Sequence, residues 1–349
     1  MARTVRNGIL DTIGGTPLVR LERIEPGLRA EVFAKMERFN PGGSIKDRTA
    51  NSMVLGKIRS GELDRSRSVL VESSSGNLAI GLAQISRYFG MRFICVVDPK
   101  TPHHIRRILE AYGVTVEMVE EPDPQTGEYL AGRLRRVHDL VASVPGAFWP
   151  NQYANPRNPL AHETTMREIA EALDGRVDYL LCAVSTTGTL LGCARYARRH
   201  RLGTTMIAVD AVGSVLFAPE PSTYRLISGY GASVRPPLLE PGVADLAVHV
   251  TDLEAVIGCR RLMQREAILA GGSAGATVAA LAKLAPTIPD DATCVLIFPD
   301  GGDRYLDTIY SDEWVNRSFG EVSHMWKEEP EIGARTEPAP VPMTLLPAR

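Results

Sequence analysis

Short β-branched runs alternate with helical patterns along most of the chain, and this alternation limits the fold more than any other feature. "SVLVE" (68–72) precedes "NLAIGLAQISRYFG" (77–90), and "RFICVV" (92–97) precedes "PHHIRRILEAYG" (102–113). "VTVEMV" (114–119) precedes "EYLAGRLRRVHDLVASV" (128–144). Farther on, "VDYLLCAV" (177–184), "TLLGCARYARRH" (189–200) and "TMIAVDAV" (205–212) repeat the order. "LEAVIGCRRLMQREAILAGG" (253–272) and "SAGATVAALAKLA" (273–285) then lead into "ATCVLIFP" (292–299). Near-continuous apolar strands joined by helices imply parallel sheets covered on both faces. The fold class is therefore α/β, with one strand group near 68–119 and another near 177–298. Gly90, Gly113 and Gly271 are placed to close helices as left-handed C-caps. Residues 319–349, proline-rich from Gly333, read as a disordered tail.

Composition removes several classes. The 349 residues suffice for two domains, and 44% are hydrophobic, which suits a sizeable core. A net charge of −2 argues against a nucleic-acid partner. No apolar run is long enough for a bilayer span, and "MARTVRNGILDTIGG" has no apolar signal-peptide core. Cys95, Cys182, Cys193, Cys259 and Cys294 are scattered, three of them in apolar runs, and read as buried hydrophobes of a reducing cytoplasm. The seven histidines show no metal-ligand spacing, and His103–His104 reads as a solvated helix start.

Ligands of open α/β sheets bind beyond the carboxyl ends of the strands, so the strand-to-helix junctions hold the candidate chemistry. "ESSSGN" (72–77) opens a helix with three hydroxyls, a glycine and an asparagine. One such residue suffices for an N-cap, whereas the full set suits a carboxylate. "STTGT" (185–189) offers four hydroxyls and a glycine, either a cap or a phosphate cradle. It lacks the Gly-Lys-Ser/Thr ending of a nucleotide loop. "GGSAG" (271–275) joins two helices, and Ser273 there reads first as a cap. "NPGGSIKDR" (40–48) sets Lys46 on a glycine-supported helix start. A lysine amine, a phosphate cradle and a carboxylate cradle are what pyridoxal phosphate and an amino-acid substrate require.

In order and spacing, "IGGTPLVRL" (13–21), "NPGGSIKDR", "SSSGN" (73–77), the 185–189 loop and "AGGSAGA" (270–276) resemble the fold-type II pyridoxal-phosphate enzymes. This is the cysteine synthase and cystathionine β-synthase family, and the resemblance spans roughly residues 8–318. It implies two three-layer αβα domains with the site between them. The large domain would comprise 1–41 and 155–318, and a small mobile domain 42–154. Lys46 would bind the cofactor and act as general base. Asn77 would hydrogen-bond the ring hydroxyl, and Ser185, Thr186, Thr187, Gly188 and Thr189 would hold the phosphate. Ser273 would face the pyridine nitrogen and leave it largely unprotonated, which suits β-elimination and β-replacement. Ser74, Ser75, Gly76 and Gln152 would hold the substrate α-carboxylate. A homodimer is also implied.

Departures from cysteine synthases sharpen the expectation. Their cradle carries Pro-Thr where "ESSSGN" has serines, their phosphate loop begins with glycine where Ser185 stands, and phenylalanine occupies the position of Tyr153. Ser185 and Tyr153 each add a hydroxyl where the second substrate enters, and Arg133 either adds a charge-assisted contact or is a solvated helix arginine. "VVDPK" (96–100), "VEEPDPQTGEYL" (119–130), "NQYAN" (151–155), "VSTTG" (184–188), "VDAVGSV" (209–215) and "YSDEW" (310–314) are similar to one branch of the family. That branch joins O-phospho-L-serine to L-glutamate on the way to 2,3-diaminopropionate, for siderophores or peptide antibiotics. The alternatives are a cysteine synthase or O-phosphoserine sulfhydrylase, and a silent relative that binds a partner. For the leaving phosphate, Arg133, Arg225 and Arg235 are the candidates.

Overall fold

The computed structural model describes residues 5–122, 129–218 and 221–327. Its strands are β1 (Leu18–Arg20), β2 (Glu31–Met36), β3 (Val69–Ser73), β4 (Arg92–Val97), β5 (Thr115–Met118), β6 (Ala147–Phe148), β7 (Tyr179–Ala183), β8 (Thr205–Ala211), β9 (Leu246–Val250) and β10 (Thr293–Phe298). Its α-helices are α1 (Lys46–Arg59), α2 (Asn77–Phe89), α3 (His103–Ala111), α4 (Leu130–Ser143), α5 (Arg157–Ala172), α6 (Gly188–Arg199), α7 (Asp252–Glu266), α8 (Gly272–Leu284) and α9 (Asp312–Phe319).

The strands form two sheets, ordered β1-β2-β10-β7-β8-β9 and β5-β4-β3-β6. All pairs are parallel except the edge pair β1/β2. Side chains of period two feed separate helical layers. In the large sheet, Cys294, Leu296 and Phe298 pack with α7 and α8, while Val295 and Ile297 pack with α5 and α6. In the small sheet, Leu70, Phe93 and Cys95 join the α1–α3 side, and Val69, Val71, Ile94 and Val96 meet Val137 and Leu140 of α4. Both sheets are thus covered on both faces, an αβα sandwich each.

Two expectations are corrected. Gly271 does not close a helix: α7 ends at Glu266, Ala267 takes the left-handed turn at φ 56°, and Gly271 is the N-cap of α8 with φ −76°. The tail does not begin at 319, because Ser323–Met325 forms a 3-10 turn and Trp326, 4% exposed, packs into the core of the large sheet. Residues 328–349 lie outside the described residues.

Strand order reverses beside β7, with β8 and β9 on one side and β10 and β2 on the other. It reverses again beside β3, with β4 and β5 against β6. Loops on either side of such a reversal leave in opposite directions and open a crevice. The loops after β3, β7 and β10 are therefore the places to look for a site.

Candidate active site

Those loops meet around one cavity of about 250 Å³. Lys46, Ser74, Ser75, Gly76, Asn77, Arg133, Gln152, Tyr153, Ser185, Thr186, Thr187, Thr189 and Ser273 all line it. Of the residues expected to hold cofactor or the α-carboxylate, Gly188 alone does not line it, and it is the first residue of α6.

Lys46 is placed by the turn before it. Ser44 bridges Asp300 across the end of β10, and Ile45 N–H donates to the Pro299 carbonyl at 2.8 Å. Gly43 takes φ 82°, a left-handed conformation that favours glycine. Asp47 closes the turn by accepting from Gly42 N–H at 2.6 Å. Burial pushes the Lys46 amine below its ordinary range, against the opposing charges of Cys182 and Asp300. The next residue, Arg48, spans two carboxylates. Its Nε and Nη2 donate to Glu37 at 2.7 and 2.9 Å, and Nη1 and Nη2 donate to Glu168, each at 2.7 Å. Lys35 joins Glu168 at 2.7 Å, and Glu168 also accepts from Gly15 N–H of "GGTPL" at 2.9 Å. "SIKDR" thus sets Ile45 and Lys46 in the cavity wall and spends Asp47 and Arg48 on holding them there.

The loop after β7 reaches α6 through Thr187, whose φ of 62° is left-handed and which gives the helix no side-chain cap. Thr186 Oγ1 accepts from Gly188 N–H at 3.3 Å and from Asn158 Nδ2 at 3.2 Å. Asn158 Nδ2 also donates to the Gln152 carbonyl at 2.8 Å. One buried amide therefore couples the β7 loop to the Gln152 loop. The expected cap is absent at Ser273, which lies one residue inside α8 with its side chain in the cavity wall.

Asn77, the first residue of α2, holds a contact between the sheets. Its Nδ2 donates to Asp300 Oδ2 at 2.8 Å, and Arg304 donates to its Oδ1. Tyr305 also donates to Asp300, at 2.8 Å. Glu72, at the end of β3, accepts from Ser73 N–H at 3.0 Å and from the Trp149 indole at 2.8 Å. Burial pushes its carboxyl up to about 7, while donors from Trp149 and from the backbone of Ser73, Gln152 and Asn151 oppose the rise. Glu72, Cys182, Asp300, Arg304 and Tyr305 line the cavity and were missed from the sequence. Asp300 follows an apolar strand as "ESSSGN" and "STTGT" do, and that position was its available signal.

Burial pushes the Tyr153 phenol up, and the Arg133 charge and the Ser185 hydroxyl oppose the rise. Arg133 Nε lies 3.2 Å from Asp98. The other arginines offered for the leaving phosphate lie outside the cavity. Arg225 donates to the Gly213 carbonyl at 2.6 Å and to Ser233 at 2.9 Å, and Arg235 to the Val215 carbonyl at 3.0 Å. Arg304 stands in the wall instead.

Residues 9–300 match the family model described as pyridoxal-phosphate dependent enzyme. The chain is 48% identical over 314 residues to N-(2-amino-2-carboxyethyl)-L-glutamate synthase of Ralstonia nicotianae, covering 90% of this chain and 92% of that protein. Among solved structures it resembles the O-acetylserine dependent cystathionine β-synthase of Helicobacter pylori, with TM-score 0.81 and 29% identity over 88% of this chain and 100% of that one. It also resembles the cysteine synthase of Entamoeba histolytica, with TM-score 0.83 and 31% identity over 89% of this chain and 92% of that one.

Proposed function

The chain belongs to the pyridoxal-phosphate dependent enzyme family, and from that premise we propose that it condenses O-phospho-L-serine with L-glutamate, releasing N-(2-amino-2-carboxyethyl)-L-glutamate and inorganic phosphate. The observation that carries this reading is that the Tyr153 and Ser185 hydroxyls and the Arg133 guanidinium line one cavity, donors that hydrosulfide would not need. The product name of the Ralstonia relative supports the same reaction.

The residues present fit pyridoxal phosphate. A desolvated lysine amine, the uncapped α6 terminus with its hydroxyls, the Asn77 amide and the Ser273 hydroxyl share one cavity. When bound, the cofactor supplies an electron sink for charge developing at the substrate Cα. Lys46 would bind it, and Thr186, Thr187, Thr189 and Ser185 would hold its phosphate at the helix N-terminus. Ser74, Ser75, Gly76 and Gln152 would fix the α-carboxylate of phosphoserine in the cavity that Lys46 also lines. An amine whose charged form is disfavoured by burial suits removal of the Cα proton and its later return. The Cβ–O bond breaks with its electron pair leaving on phosphate, and the glutamate α-amine forms the new bond to Cβ. Tyr153, Ser185 and Arg133 would bind the glutamate carboxylates and aim that amine.

Three further parts belong to this reading. Segment 42–154 would move as a unit and close the cavity, excluding water; the Asn77–Asp300 and Asn77–Arg304 contacts give the two sheets a meeting point for that motion. The chain would act as a homodimer in the cytoplasm, where its five buried free cysteines suit a reducing compartment. Its product would supply 2,3-diaminopropionate to a siderophore or a peptide antibiotic. The test is product analysis by mass: the purified enzyme with phosphoserine receives glutamate or sulfide. Formation of the glutamate adduct is expected, and exclusive formation of cysteine would reverse the assignment.

A further inference from the structure

Among the described residues, two arginines line the cavity, and they are held differently. Arg304 donates to neutral acceptors, Asn77 Oδ1 and the Gly42 carbonyl. Arg133 faces a carboxylate: its Nε is 3.2 Å from Asp98 Oδ2, with side-chain exposures of 14% and 7%. The pairing is an ion pair: Arg133 Nε, 3.2 Å from Asp98 Oδ2, makes no hydrogen bond, and neither does the other carboxylate oxygen, Oδ1. Charges this close offset each other's cost of burial.

Both members are set by their elements. Asp98 follows β4, and its backbone N–H donates to Thr101 Oγ1 at 3.2 Å while its carbonyl accepts from Thr101 N–H at 3.0 Å. Arg133 stands on α4, which is fixed to the small sheet through Val137 and Leu140. A guanidinium offers its five donors in a rigid planar fork. A carboxylate beside Nε therefore biases where the two Nη groups point, and Arg133 is the member of the pair that lines the cavity. Tyr153 and Ser185 line the same cavity.

We propose that Asp98 is a positioning residue for the second substrate: it holds the Nε side of Arg133 so that the rest of the fork meets a carboxylate of an amino dicarboxylate. This rests on the reading of Arg133 in Proposed function. A rival role makes Asp98 a competitor that occupies Arg133 until substrate displaces it, and the two roles have opposite signs.

The experiment uses the holoenzyme and the variants D98N, R133K and D98N/R133K. Steady-state rates are measured with glutamate varied and with phosphoserine varied, together with thermal midpoints. Positioning predicts that D98N raises KM for glutamate about tenfold, the scale of losing one close charge pair. KM for phosphoserine stays within about twofold, and the double variant is no worse than R133K, since both changes remove one device. Unchanged or lower KM for glutamate in D98N, with R133K impaired, overturns the positioning role and leaves the Arg133 reading standing. An R133K enzyme with normal glutamate kinetics overturns both. Equal losses toward both substrates with a lowered midpoint in D98N would make Asp98 merely structural and also overturn the proposal.

Discussion

Tyr153 and Ser185 line the same cavity, although one precedes α5 and the other follows β7. They bring hydroxyls from loops of different origin to one site. Both hydroxyls can donate, and a carboxylate accepts such bonds strongly. Replacing both, as Y153F/S185G, should raise KM for glutamate on the order of tenfold to a hundredfold, from the loss of hydrogen bonds to a charged group. Phosphate release from phosphoserine without glutamate should persist. Initial rates with each substrate varied separately would check this, and unchanged glutamate kinetics would remove the pocket argument.

Lys46 is the amine on which turnover should depend. K46A should lower kcat by about a hundredfold to ten-thousandfold, the range for losing a positioned general base. Intact mass after borohydride reduction gives an independent readout. The wild-type chain should carry the added cofactor mass and K46A should not. A variant that retains the adduct would move the attachment to another residue.

Glu72 supplies a pH prediction. Burial raises its carboxyl from 4.5 to about 7 in the folded chain. Between those values the folded state binds the extra proton, so this group's contribution to stability falls as pH rises from about 5 to 7, then levels off. Asp47, also raised to about 7 by burial, contributes a slope of the same sign. Comparing wild type with E72Q cancels the Asp47 part. The thermal midpoint of wild type relative to E72Q should therefore drop across that interval and stay flat above it. A gap that widens in favour of wild type with rising pH would contradict the raising of the Glu72 carboxyl by burial.

How much of this was legible in the sequence depended on how local each signal was. The runs that became β4, β7 and β10 are apolar and bounded by turn residues, so periodicity placed them. Strand β2, "EVFAKM", was passed over because Lys35 interrupts it, and only the structure shows that lysine buried against Glu168. The two-residue β6 and the antiparallel edge β1 are too short for a pattern. Within the site, hydroxyl-rich loops announced themselves through composition. Glu72, Asp300 and Arg304 did not, because one charged residue at a strand end carries no periodicity and its role appears only with its partners. The cluster of Arg48, Glu37 and Glu168 joins residues far apart in the chain, so no sequence window contains it.

That cluster yields a stability prediction. Arg48 is 3% exposed and Glu37 fully buried, and Arg48 is bound to both carboxylates. Against the desolvation of burial, the hydrogen bonds and charge of Arg48 draw the Glu168 carboxyl down to about 2, so both partners stay charged near neutrality. R48A would leave Glu37 uncompensated in the interior, costing about 3–5 kcal/mol. Denaturant unfolding monitored by circular dichroism would measure it. A loss below about 1 kcal/mol would place the network among surface-like ion pairs.

Gly188 tests the cradle without touching its hydroxyls. It is the first residue of α6, and a Cβ added there would overlap the Asn158 side-chain amide. That amide donates to Thr186 Oγ1 at 3.2 Å and to the Gln152 carbonyl at 2.8 Å. In G188A the amide must move, and the β7 loop and the Gln152 loop lose their common tie. Cofactor affinity should fall about tenfold, the scale of a buried hydrogen bond broken at a fixed site, and KM for phosphoserine should rise as well because Gln152 shifts. Titrating cofactor-free protein with pyridoxal phosphate, followed by its absorbance, separates the two effects. If affinity for the cofactor held while KM rose, Asn158 would serve the substrate loop alone. If both held, the space behind α6 would be able to yield, and the glycine would matter only for the entry of the chain into the helix.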